Sequence, residues 1–149
     1  MQAISTDQIA SGLTTAQVAA LLTDQIAVLE TSDLAALATA QIQALTTTQL
    51  QALTTDGVAA IETTDFAVLK TAQVAALKTS QVAALTSAQV VALTTEQVAK
   101  GLTTAQVAAL TTDNIAALET ADVAALTTNL VSSLTTAAGS EVTTAGIAA

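Results

Sequence analysis

A period of eight residues limits what this chain can fold into more than anything else in it. Over residues 69–93 the sequence reads LKTAQVAALKTSQVAALTSAQVVAL, three consecutive copies of L-x-[TS]-x-Q-V-[AV]-A. With the opening leucine as position one, units begin at Leu13, Leu21, Leu29, Leu37, Leu45, Leu53, Ile61, Leu69, Leu77, Leu85 and Leu93. The series resumes at Leu102 and runs through Leu110, Leu118, Leu126 and Leu134 to Val142. Two units, 4–12 and 93–101, have nine residues and end in glycine. Three leading residues, two units of nine and sixteen of eight account for all 149. The chain therefore reads as a single repeat domain over 1–149, with 18 units and irregular C-terminal ones over 134–149.

A continuous α-helix fits this period badly. Two turns take about 7.2 residues, so a leucine stripe would drift by roughly 80° per unit. A β-solenoid is disfavoured by the Ala-Ala at positions seven and eight, which is poor strand material. One very short helix per unit fits better. Position three, threonine in Thr15, Thr23, Thr31 and most later units, is expected to cap it through its hydroxyl. Residues four to eight and the next leucine, as in Ala72-Gln73-Val74-Ala75-Ala76-Leu77, are mostly good helix formers. Val74 and Leu77 then share a face.

Helices of about six residues do not survive alone, because nucleation is costly. The expectation is an all-α, tight α-solenoid of very short helices, one per eight-residue repeat, wound with leucine and valine inward. Gln17, Gln25, Gln41, Gln49, Gln73, Gln81, Gln89, Gln97 and Gln106 recur at position five, where they could form hydrogen-bond ladders between coils. Gly12 and Gly101 read as left-handed C-caps where the winding is adjusted. Units 134–149, which lose the glutamine and gain Gly139 and Gly146, read as a frayed or capping end.

Composition supports a thin core over a globular one. Hydrophobic residues make up 52% of the chain, yet Phe66 is its one aromatic. Twelve acidic residues face three lysines, for a net charge of -9. Such a surface is wrong for nucleic acid, whose phosphates must be met by dense basic groups. It suits a solubilising role on an apolar rod. The chain has no cysteine and no histidine. That excludes disulfides, thiolate or imidazole metal sites, and Ser-His or Cys-His catalysis. Polar residues interrupt every apolar run well short of the ~20 residues that a membrane helix needs, so no membrane insertion is expected. The opening MQAISTDQIASG does not resemble a signal peptide, so the expectation is a fragment or another export signal.

One pattern rises above the repeat. Asp24, Glu30 and Asp33 recur as Asp56, Glu62 and Asp65, and as Asp113, Glu119 and Asp122. Carboxylate clusters can bind calcium, which takes six to eight oxygen ligands. Negative charge near helix N-termini is the simpler role, because the helix dipole favours it. The first two triads are 32 residues apart, or four units, which would suit one turn of the coil. Threonine rows could order water or match ice, but Glu30, Glu62, Lys70 and Lys78 would interrupt the face. No pocket is indicated that would let paired carboxylates do acid–base work.

Units such as LTTAQVAAL and LTTEQVAKGL resemble the tandem LTTxQVxAL arrays of large repetitive bacterial proteins, which are exported or adhesin-like. The resemblance covers nearly the whole chain and implies a place outside the cell or at its surface. Residues 85–92, LTSAQVVA, are also similar to the opening helix of the DNA-reading repeats of transcription activator-like effectors. Those repeats are about four times longer and carry a second helix and a base-reading loop. The shared element is one way of capping a helix. Together these features predict a non-enzymatic rod: a stalk, spacer or filament-forming subunit of a bacterial surface or secreted assembly. The expected partners are copies of the chain end to end, or another surface protein. No catalytic, metal or cofactor site is expected. The alternatives are a protein-binding solenoid scaffold or, less favoured, an ice-ordering or calcium-binding repeat.

Overall fold

The computed structural model describes residues 5–133. Fifteen short α-helices and one π-helix follow one another, one per unit, with no strand among the described residues. The protein is an all-α solenoid of very short helices. The longest, α1 (Thr6–Gly12), has seven residues and the shortest, α8 (Thr63–Phe66), has four.

In the eight-residue units each helix begins at position three and ends by position eight, as in α6 (Thr47–Ala52) and α9 (Thr71–Ala76). The next two residues are extended and turn the chain. Leu53 at φ -61°, ψ 143° and Thr54 at φ -69°, ψ 163° form such a corner. The cap is therefore position two, one residue earlier than the sequence suggests, and the position-three threonine is the first helical residue. Thr14, Thr46, Thr86 and Thr103 at position two accept from the amide of position five. Leu22, Glu30, Ala38, Lys70 and Lys78 stand at the same place without a side-chain cap bond. Capping here does not depend on position two having a hydroxyl. The reason lies at position five, described below.

Helices pack on those three units further along: α2 (Thr15–Ala19) on α5 (Thr39–Ala44), α6 on α9, α8 on α11 (Ser87–Ala92). Hydrogen bonds between coils reach back 28 and 31 residues, as from Gln81 to Leu53 and Leu50. One coil thus closes in between three and four units, less than the four that the acidic triads suggest. The core is a single column of position-one and position-six side chains, including Ile42, Leu45, Leu50, Leu53, Val58 and Phe66. Burying a Leu or Val side chain contributes about 1.5–3 kcal/mol.

The nine-residue units are not closed by left-handed glycines, because no described glycine has a positive φ. In one, the extra residue lengthens α1; in the other, it is taken into the π-helix Gln97–Gly101, where Leu102 N–H donates to Gln97 O at 3.0 Å. Gly101 is needed for close approach. A Cβ there would lie 3.2 Å from Val74 Cβ and 3.5 Å from Thr71 Cα. The irregular units 134–149, with Gly139 and Gly146, lie outside the described residues.

Candidate functional site: the clasp between coils

Position five carries the chemistry of this molecule. Every helix leaves N–H groups unpaired at its start and C=O groups unpaired at its end. Each interior glutamine serves both kinds at once. Its Oε1 accepts from the N–H of its own position-two residue: Lys78 N to Gln81 at 2.8 Å, Lys70 N to Gln73 at 2.8 Å, Ala38 N to Gln41 at 2.7 Å. This is the backward half of a capping box. It explains why leucine, alanine and lysine are tolerated at position two.

The other end of the same amide reaches the preceding coil. Gln81 Nε2 donates to Leu53 O and Leu50 O, both at 2.8 Å. Gln89 Nε2 donates to Ile61 O at 2.7 Å and Val58 O at 2.9 Å, and Gln106 Nε2 to Leu77 O at 2.7 Å and Val74 O at 2.8 Å. The position-one carbonyl is the C-cap of a helix in the coil before, as at Leu53 and Ile61. The predicted ladders are present from Gln41 onward and run from side chain to backbone, while Gln17 and Gln25 in the first coil donate to no described residue. Gln43 and Gln51 at position seven add bonds in the other direction, to Val68 O at 3.0 Å and Ala76 O at 2.8 Å. Among the described residues every buried side-chain nitrogen and oxygen has a hydrogen-bond partner. A buried amide without partners would cost several kcal/mol; paired in this way, it fixes one coil on the next.

Three units carry aspartate at position five, and each has glutamate at position two. Asp33, Asp65 and Asp122 are buried. Aspartate is one carbon shorter than glutamine and has no N–H to offer a carbonyl. Its carboxylate instead accepts from a position-three threonine of the coil before: Thr6 Oγ1 at 2.7 Å, Thr39 Oγ1 at 2.6 Å and Thr95 Oγ1 at 3.0 Å. Glu30, Glu62 and Glu119, by contrast, are exposed at their N-caps. The recurring acids are thus divided between clasp and surface, and among the described residues no three carboxylates come together as a metal-binding group.

Two further units break the pattern differently. Gly57 has no side chain to clasp with, and a Cβ on it would lie 2.8 Å from Leu34 Cδ1. Leu34 fills with carbon the place that a longer position-five side chain would need. In the unit from Leu126, the buried position-five residue is Leu130, while Val131 at position six is 39% exposed. Among the described residues most position-three threonines face solvent, and those opposite a glutamine make no bond there that accounts for their constancy.

Taken together, the fold and the clasp define a class: a tandem-repeat α-solenoid whose short helices are tied coil to coil by a buried position-five amide or carboxylate in most of the described units. In keeping with this, the chain matches the family model of the ALTTAQ repeat twice, over residues 26–60 and 58–95. No curated protein and no solved structure was found to match it. Among the described residues, no helix is long and apolar enough to cross a membrane.

Proposed function

We propose that the chain is a non-enzymatic structural rod, serving as a stalk, spacer or filament-forming subunit in a bacterial surface or secreted assembly. The observation that supports this reading most is the use made of buried polarity. In an enzyme, convergent polar groups face a pocket where a substrate can reach them. Here the buried amides and carboxylates at position five are spent on neighbouring coils, so each added unit lengthens the object and keeps its cross-section. Stability in such a molecule accumulates by nearest-neighbour interfaces, which suits a part whose task is reach. The acidic surface keeps it apart from other rods along its flanks.

Two measurements test the proposal. Small-angle scattering of the chain, and of a version with units 69–92 duplicated, should show a longer particle of the same cross-section. A fatter particle would contradict the rod. Antibody labelling of intact producing cells tests the location: a signal that appears only after lysis would remove the surface assignment and leave the rod standing.

A further inference from the structure

The clasp is not spread evenly along the rod. The position-one carbonyls of Leu21, Leu45, Leu53 and Ile61 are met by Gln49, Gln73, Gln81 and Gln89 at 2.7, 2.7, 2.8 and 2.7 Å. Those of Leu29 and Leu37, between Leu21 and Leu45 in the series, take no side-chain amide from any described residue. Counting on the 28 residues that separate Leu53 from Gln81 leads from them to Gly57 and Asp65. Gly57 has no side chain to send across, and Asp65 accepts one bond, from Thr39 Oγ1 at 2.6 Å.

A break across the rod has to part the contacts of the three units that follow it. After residue 76 those units reach back with Gln81, Gln89 and Gln97. After residue 44 they carry Gln49, Gly57 and Asp65, and after residue 52 Gly57, Asp65 and Gln73. On either side of α6, one glutamine clasp stands where the body of the rod has three. The next unit along adds a bond in each case, as from Gln106 to Val74 O and from Gln81 to Leu50 O, both at 2.8 Å, so the difference stays.

A second observation marks the same place. Position seven is alanine in most units, and the two glutamines there are Gln43 and Gln51. Both are exposed. Gln43 Nε2 donates to Val68 O at 3.0 Å across both breaks, and Gln51 Nε2 to Ala76 O at 2.8 Å across the second. Surface bonds exchange with water and hold less firmly than buried ones.

We propose that the rod carries a built-in seam around α6, where coils part first and reversibly, with Gln43 and Gln51 as the latches that hold it shut. Stability in a solenoid is a sum of neighbour interfaces, so two weak interfaces in a row set where the stack opens. Residues 69–109, clasped by Gln73, Gln81, Gln89, Gln97 and Gln106 without a gap, stay wound. A pull or a bending load is relieved at that one point. The seam concerns how coils hold together and is independent of where the protein works.

Thiol labelling of single-cysteine variants tests this, since the chain has no cysteine of its own. Val58 and Val90 both stand at position six, and both are 0% exposed. Under native conditions Val58→Cys should react with an aromatic disulfide reagent about tenfold or more faster than Val90→Cys, because a contact short of hydrogen bonds opens more often. Adding Gln43→Ala and Gln51→Ala should quicken Val58→Cys about threefold or more again and leave Val90→Cys unchanged. Circular dichroism checks that each variant is folded. Should a cysteine variant not fold, hydrogen exchange of the Val58 and Val90 amides, bonded to Thr54 O and Thr86 O at 3.0 and 3.1 Å, makes the same comparison. Equal rates at the two sites overturn the proposal, as does latch removal that leaves Val58→Cys unchanged or quickens both sites alike.

Discussion

The first coil and the coils stacked on it are made from one unit, yet the same glutamine does half the work in the first. At Gln17 the amide caps its own helix and stops there. At Gln81 it caps its helix and also takes two carbonyls of the coil before. The leucines follow suit, with Leu13 half-buried and Leu53 at 4% exposure. A residue's contribution in this fold is therefore set by which coil it sits in, even when the local sequence is the same.

The largest effect should come from the hydrophobic column. Leu50→Ala should lower the unfolding free energy by about 2–5 kcal/mol, measured by urea denaturation. Leu13→Ala, at the open end, should cost less than half as much. Equal losses would mean that the ends are as well packed as the middle.

Gly57 sharpens the comparison inside the body of the molecule. Restoring the repeat with Gly57→Gln should destabilise by about 1–3 kcal/mol through overpacking against Leu34, although it makes the sequence more regular. Adding Leu34→Val should recover most of the loss in a double-mutant cycle. A stabilising Gly57→Gln would show that Leu34 does not occupy that space.

The aspartate clasps predict a contrast between two threonines that look alike in sequence. Thr39→Val removes the hydroxyl that Asp65 accepts from at 2.6 Å and should cost about 1–3 kcal/mol, because a buried carboxylate loses a partner. Thr47→Val, at the same position and also exposed but opposite a glutamine, should change the denaturation midpoint hardly at all. Smallest is the glycine pair. Gly12→Ala should stabilise by about 0.5–1 kcal/mol from helix propensity. Gly101→Ala should lose that gain to the contact with Val74.

Much of this architecture is legible in the sequence. The period of eight excluded a long helix, and Ala-Gln-Val-Ala-Ala marked where each short helix runs. Val74 and Leu77 fell on the buried face as their spacing requires. The cap was misplaced by one residue because adjacent threonines at positions two and three, as in Thr46-Thr47, suit the role equally. Lys70, Lys78 and Glu30 hid the true cap, since the position-five side chain serves their amides. The left-handed reading of Gly12 and Gly101 fails because a nine-residue unit can also be absorbed by a longer α-helix, as at Gly12, or by a π-turn, as at Gly101. The size of the coil was not legible at all. A strict repeat presents the same pattern whichever unit lies beneath it. The division of the acids was hidden for the same reason: Asp65 and Glu62 differ in what lies across the coil.

The most direct test of the clasp compares Gln81→Ala with Gln17→Ala by urea denaturation. Gln81→Ala leaves one N–H and two carbonyls without this partner and should cost about 2–4 kcal/mol. Gln17→Ala loses its own cap amide alone and should cost about 0.5–1 kcal/mol. Equal losses at the two positions would mean that the glutamine acts only within its own helix, and that something other than the buried amide holds one coil to the next.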